Sequence, residues 1–215
     1  MVERTDLYAH LRLHLVTDGA LCGARGIEAV VEAAVRGGAT CVQLREKALD
    51  TRPFVERARA LKVLLAPLGV PLLINDRVDV ALACGADGVH VGQRDMAPED
   101  ARRLMPPGSI VGLSIESAAQ MIAAERAPVD YYGLSPVFDT STKTDAAAPL
   151  GLAGVRRIRA MTMRPLVAIG GIGFENAAGV MAAGADGLAV VSLLCTAPDP
   201  EAAARRLRQL IDGAT

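Results

Sequence analysis

A chain of 215 residues, 51% of them apolar, can bury a sizeable core and fits one large α/β domain or two small ones. A net charge of −1 and only 3% aromatic residues exclude a nucleic-acid binder working through bulk electrostatics and base stacking. Any recognition of anions must therefore be local.

The N-terminus MVERTDLYAH is too polar for a signal peptide, and no apolar run approaches the ~20 residues needed to span a bilayer. Cys22, Cys41, Cys84 and Cys195 are scattered without CxxC spacing, and Cys41 and Cys195 sit in apolar runs as small hydrophobes. That usage fits a reduced, cytoplasmic protein with no membrane and no nucleic-acid partner.

Along the chain, short apolar runs recur at regular intervals: LHLV (13–16), TCVQL (40–44), PLLI (71–74), GVHV (88–91), IVGL (110–113), YYGL (131–134), PLVAI (165–169) and GLAVV (187–191). Segments of helical period lie between them at 26–38, 54–69, 78–85, 98–105, 117–127 and 175–184, and one more at 201–211 closes the chain. Strand then helix, repeated eight times, predicts an α/β chain folded as a single (β/α)8 TIM barrel over residues 1–215, with 1–12 as an N-terminal extension. A doubly wound open sheet is the alternative, because periodicity alone does not show closure. ACGADGVHVG (83–92) and AAGADGLAVV (182–191) echo each other half a barrel apart, which shared turn chemistry accounts for.

In such barrels chemistry gathers at the C-terminal strand ends. In CVQLREKALD (41–50), Gln43, Arg45 and Lys47 alternate with core residues, so an extended chain stacks them in one doubly cationic column. Two cations there are expected to repel unless an anion binds. The third exit offers Asn75 and Asp76, the fourth Gln93 and Asp95, and the fifth Ser114. Asp76 could instead cap the following helix, and Asp95 could belong to a turn. Paired carboxylates on neighbouring strands are how a protein holds Mg²⁺ against a substrate phosphate. Gly170-Gly171 and Ser192 mark the seventh and eighth exits, where such barrels bind phosphate through backbone N–H groups. His90 is expected to pack inside the barrel, apart from the chemistry. The loop SPVFDTSTKTDAAAPLG (135–151), with one central Lys143, reads as a lid or binding loop rather than a plain connector. Two anion subsites over one barrel mouth imply a transferase or condensing enzyme.

LHLVTD, QLREK, LLINDR, GVHVGQRDM, GLS, TSTK, AIGGI and VVS stand in the order and spacing of the thiamine phosphate synthase family, which the chain resembles from about residue 13 to 195. The resemblance implies a TIM barrel that joins hydroxymethylpyrimidine pyrophosphate to a thiazole phosphate and releases pyrophosphate by dissociative substitution. It implies that Gln43, Arg45, Lys47 and Asn75 grip the pyrimidine pyrophosphate and that Asp76 and Asp95 hold Mg²⁺. Ser114 would lie beside the pyrimidine and the leaving group. Thr140, Thr142 and Lys143 would come from the loop, and Gly171, Val191 and Ser192 would receive the thiazole phosphate. Lys47, Arg45, Ser114 and Lys143 are then the candidate catalytic residues, and the partners are these two small molecules, with homo-oligomerisation left open. Asp139 stands where the family usually has Pro, and Glu116 where it often has His. A thiazole tautomerase of similar sequence and a non-catalytic phosphate-binding barrel are the rivals; the intact clamp and the acid pair favour the synthase.

Overall fold

The computed structural model describes residues 4–140 and 147–214, with side chains from residue 7 onward. The eight apolar runs form β1 (Leu13–Val16), β2 (Cys41–Leu44), β3 (Leu72–Asn75), β4 (Gly88–Val91), β5 (Ile110–Ile115), β6 (Tyr131–Leu134), β7 (Leu166–Ile169) and β8 (Gly187–Val190). All are parallel and pair in chain order, and β8 closes on β1 through Leu13 beside Leu188 and Leu15 beside Val190. Closure rules out the open doubly wound sheet.

The helices after the strands cover the outside of the barrel, so β1, β2, β4, β6 and β8 are buried along their whole length. The helix Gly151–Arg159 is absent from the sequence reading. Its apolar stripe is only Leu152, Val155 and Ile158, too short to register among arginines and glycines. The short helices Arg4–His10, Gly19–Cys22 and Ser192–Cys195 were likewise not anticipated.

Apolar burial divides into two shells. The larger lies between strands and helices; the smaller fills the barrel and includes Val16, Cys41, Leu73, Ile110, Tyr131 and Val167. Leu11 is fully buried in the inner shell with Leu7 packed against it, so the segment ahead of β1 contributes to the barrel interior.

The N-terminal rim is pinned by one device used four times. Thr40, Asp87, Asp130 and Asp186 each immediately precede an even-numbered strand. Each side chain accepts the backbone N–H of its partner on the preceding odd-numbered strand: Leu13 at 2.9 Å, Leu72 at 2.9 Å, Val111 at 2.7 Å and Leu166 at 2.8 Å. The backbone N–H of each returns a bond to that partner's carbonyl. A basic side chain braces each aspartate: Lys62 on Asp87, Arg102 on Asp130 and Arg159 on Asp186. The echo between 83–92 and 182–191 is thus two copies of a rim contact shared with Asp130 and Thr40.

Asp130→Ala removes the acceptor for Val111 N–H and unpairs Arg102. Leaving a part-buried donor unmet costs about 1–3 kcal/mol. Urea unfolding should show a loss of that order with an unchanged m-value, and a loss below about 0.5 kcal/mol, the range of ordinary surface substitutions, would refute the pinning role.

Candidate active site

A cavity of about 840 Å³ opens at the C-terminal ends of the strands. Gln43, Arg45, Lys47, Asn75, Asp76 and Asp95 line one side; Ser114 and Thr140 line it further round, and Gly171, Val191 and Ser192 face them. Thr142 and Lys143 lie outside the described residues, as does most of the loop centre.

β2 ends at Leu44, so Gln43 is buried near the strand end while Arg45 and Lys47 carry the column past it. The backbone N–H of Arg45 donates to Thr17 Oγ1 at 3.1 Å. Its guanidinium lies 3.6 Å from Asp18, and the Lys47 ammonium pairs with Asp76. The expected repulsion between two uncompensated cations is therefore corrected: each already faces a carboxylate, supplied by the exits of β1 and β3.

Asp76 has φ of 62°, a left-handed conformation, and its N–H donates to the carbonyl of His90 at 2.8 Å. It does not cap the next helix; Arg77 occupies that position and makes no side-chain cap. Its carboxylate instead accepts from Asn75 Nδ2 at 2.8 Å and from Lys47. Burial raises the Asp76 carboxyl above the ordinary range; Lys47 opposes that, and the adjoining Asp95 adds to it. Asp95 Oδ2 accepts from Gly92 N–H at 2.7 Å, so the turn reading of Asp95 holds, and the same side chain lines the cavity.

The floor was largely missed by sequence reasoning. His90 does pack inside the barrel, 8% exposed, but it also lines the cavity, with Nε2 2.9 Å from Ser114 Oγ and Nδ1 2.8 Å from the Tyr131 hydroxyl. Gln93 Nε2 donates to the Ser114 carbonyl at 2.6 Å. His14 lies beside Tyr131, and neither of its ring nitrogens has a hydrogen-bond partner among the described residues. Strand parity carried the signal for His14, which points to the same face as Val16, but LHLV reads simply as an apolar run.

Burial lowers His14 to about 3, with the nearby His90 adding to the effect, and lowers His90 to about 4. An unfolded histidine titrates near 6.5, so below that pH the unfolded chain takes protons that these rings refuse. Their stability contribution is whole above about 6.5 and is lost as pH falls toward their folded values. His14→Leu should raise the Tm at neutral pH, by removing two unmet polar atoms, and should shrink its decline between pH 7 and 5. Thermal melts at the two pH values test this; a decline as steep as the parent's contradicts it.

On the far wall the chain leaving β6 runs along β7: Val137 N–H donates to Ile169 O at 2.9 Å and Phe138 N–H to Gly170 O at 3.0 Å. This contact explains the glycine pair. Gly171 has φ of 62°, and a Cβ there would stand 2.4 Å from the carbonyl oxygen of Asp139. Ser192 opens the short helix Ser192–Cys195 beside it. One mouth thus carries an acid pair with two cations on one wall and glycine backbone with a serine on the other.

Known proteins are similar to this chain along nearly its whole length. Thiamine-phosphate synthase of Albidiferax ferrireducens is 60% identical over 94% of this chain and 92% of its own. That of Xanthobacter autotrophicus is 55% identical over 94% and 95%. The solved thiamine phosphate pyrophosphorylase of Pyrococcus furiosus superposes with a TM-score of 0.89 at 37% identity, covering 97% of this chain and 98% of that one. A family model described as thiamine monophosphate synthase matches residues 13–194, from the first residue of β1 to the short helix after β8. That span takes in every strand of the cavity wall, and the chain belongs to the thiamine monophosphate synthase family.

Proposed function

We propose that this transferase joins 4-amino-2-methyl-5-hydroxymethylpyrimidine pyrophosphate to a thiazole phosphate, giving thiamine phosphate and pyrophosphate. The observation that carries the reading is the meeting of Arg45, Lys47, Asp76 and Asp95 on one wall of a cavity large enough for two small substrates. Arg45 and Lys47, already held by Asp18 and Asp76, are poised to exchange those partners for pyrophosphate oxygens. Gln43 and Asn75 fix its orientation from the ends of β2 and β3. Gly171, Val191 and Ser192 receive the thiazole phosphate across the mouth, and Thr140 lines the same cavity; the roles expected of Thr142 and Lys143 fall outside the described residues.

The acid pair fits Mg²⁺. Two adjoining carboxylates, one with its carboxyl raised by burial, favour a cation between them, and no group of three or more His, Cys, Asp or Glu side chains competes as a metal cluster among the described residues. Mg²⁺ keeps several waters and takes few protein carboxylates alongside substrate phosphate, so Asp76 and Asp95 suffice. When bound it supplies charge neutralisation for the departing pyrophosphate.

The bond between the pyrimidine methylene and the pyrophosphate oxygen breaks, and the electron pair leaves with pyrophosphate. The aminopyrimidine ring stabilises the methylene cation, and the thiazole nitrogen lone pair then forms the new C–N bond. No side-chain nucleophile takes part. Catalysis is positioning plus stabilisation of the leaving anion.

No helix among the described residues is long and apolar enough to cross a membrane, and we place the work in the cytoplasm, where both substrates are small soluble phosphates. Release of pyrophosphate that requires both substrates and Mg²⁺ tests the reading. Proton exchange on the thiazole without pyrophosphate release would point to a tautomerase instead, and binding without turnover to a sensor.

A further inference from the structure

The cavity floor holds a hydrogen-bond chain that the substrate contacts above leave unexplained: Tyr131 hydroxyl, His90 Nδ1, His90 Nε2, Ser114 Oγ. It is built with some care for space. A Cβ at Gly112 would stand 2.3 Å from the Tyr131 ring and 2.5 Å from His90 Nδ1, and one at Gly133 would stand 2.8 Å from the His90 ring. Two strands therefore carry glycine where either side of the chain needs room. The rings lie with centroids 5.4 Å apart, tilted by 33°.

The chain has a direction. Tyr131 is 1% exposed, and among the described residues its hydroxyl has one hydrogen-bond partner, His90 Nδ1. A buried phenol that donates to nothing strands its proton, so the hydroxyl donates and Nδ1 accepts. The neutral ring then carries its proton on Nε2, which donates to Ser114 Oγ. The serine oxygen receives that proton and keeps its own free to donate elsewhere. Ser114 lines the cavity, and its carbonyl is held by Gln93, so the remaining direction is into the open space.

We infer that Tyr131 and His90 are positioning residues that fix the Ser114 hydroxyl as a hydrogen-bond donor into the cavity, aimed at an acceptor atom of the pyrimidine pyrophosphate. The identity of the acceptor rests on the substrate reading above; the direction of the chain does not. Without the chain, Ser114 could donate backward to His90 and offer the substrate only a lone pair, which repels an anionic leaving group.

Two measurements on the full-length protein test this. With ¹⁵N-labelled histidine, and His90→Gln to assign the resonances, the His90 signals should show a protonated Nε2 and a bare Nδ1. A proton on Nδ1 overturns the inference. In Tyr131→Phe, which keeps the ring and loses the donor, both tautomers should appear. Steady-state kinetics then separates positioning from packing. Tyr131→Phe should lower kcat about tenfold, the worth of one hydrogen bond, and should have no further effect in a Ser114→Ala background. An equal loss in both backgrounds, or none in the first, overturns it. His90→Gln, whose amide can accept from Tyr131 and donate to Ser114, should retain more kcat than His90→Leu; equal losses count against the relay. If the parent protein fails to turn over the pyrimidine substrate, the substrate reading falls while the nitrogen resonances still decide the direction of the chain.

Discussion

Lys47→Ala is expected to lower kcat by about 10²–10³-fold, the usual cost of removing one preorganised donor from a developing anion. The argument turns on when the charge matters. In the resting site Lys47 is paired with Asp76, so substrate binding exchanges one anionic partner for another and gains little. As the methylene–oxygen bond breaks, negative charge accumulates on the pyrophosphate, and the ammonium interacts more strongly with the transition state than with the ground state. The loss should therefore appear chiefly in kcat, with little change in substrate affinity. The half-exposed Lys47–Asp76 pair contributes at most about 1 kcal/mol to the fold, so the Tm should move little. An alanine at Lys62 is unsuitable as a control, because Lys62 braces Asp87 at the N-terminal rim. Arg52, exposed on the helix Thr51–Leu65, serves instead. Steady-state kinetics that finds Lys47→Ala and Arg52→Ala alike would reduce the cationic column to surface decoration.

Asp95→Asn should abolish most Mg²⁺-dependent turnover, with a loss on the order of 10²-fold, comparable to removing one electrostatic element of the site. The substitution suits the test because an Asn carbonyl can still accept from Gly92 N–H, so the turn survives. Its second effect has the opposite sign. The folded Asp76 carboxyl titrates above its unfolded value, so it contributes stability below about pH 4 that is lost as pH rises through the folded value. Once ionised in the fold, Asp76 is a cost, to which Asp95 adds. Metal-free Asp95→Asn should then melt no lower than the parent, and higher if the repulsion is large. Mg²⁺ with pyrophosphate should raise the parent's Tm by mass action and leave the variant nearly unmoved. Equal Tm increments in the two proteins would remove Asp95 from the metal site.

How much of this was legible depended on whether a residue's role is local. GVHV and YYGL match β4 and β6 residue for residue, since apolar runs bounded by turn residues suffice to specify a buried parallel strand. QLREK was visible because charge alternating with apolar residues has no comfortable place in a core. Its partners were not: Asp18 comes from another strand exit, and nothing in LHLVTD says which cation it will meet. Asp76 could read as a helix cap as readily as a site residue, because sequence does not display a left-handed backbone. His14 and His90 were hidden for the same reason as each other. A histidine among apolar residues looks like core, and only the closed barrel shows that the core here is also the floor of a cavity. The helix Gly151–Arg159 escaped because its apolar stripe has three members.

The four rim contacts make the strand pair, not the single strand, the unit from which this barrel is assembled. Each odd–even pair is clamped at its foot by a reciprocal bond that admits one alignment only, because a slip of one residue would turn every side chain to the other face. The opposite ends of the same strands are then free to hold groups that dislike one another, such as Asp76 beside Asp95, without loosening the frame. Foot and mouth answer to separate demands: the foot keeps time, and the mouth can change its chemistry by exchanging side chains while the alignment of the strands beneath it stays where it is.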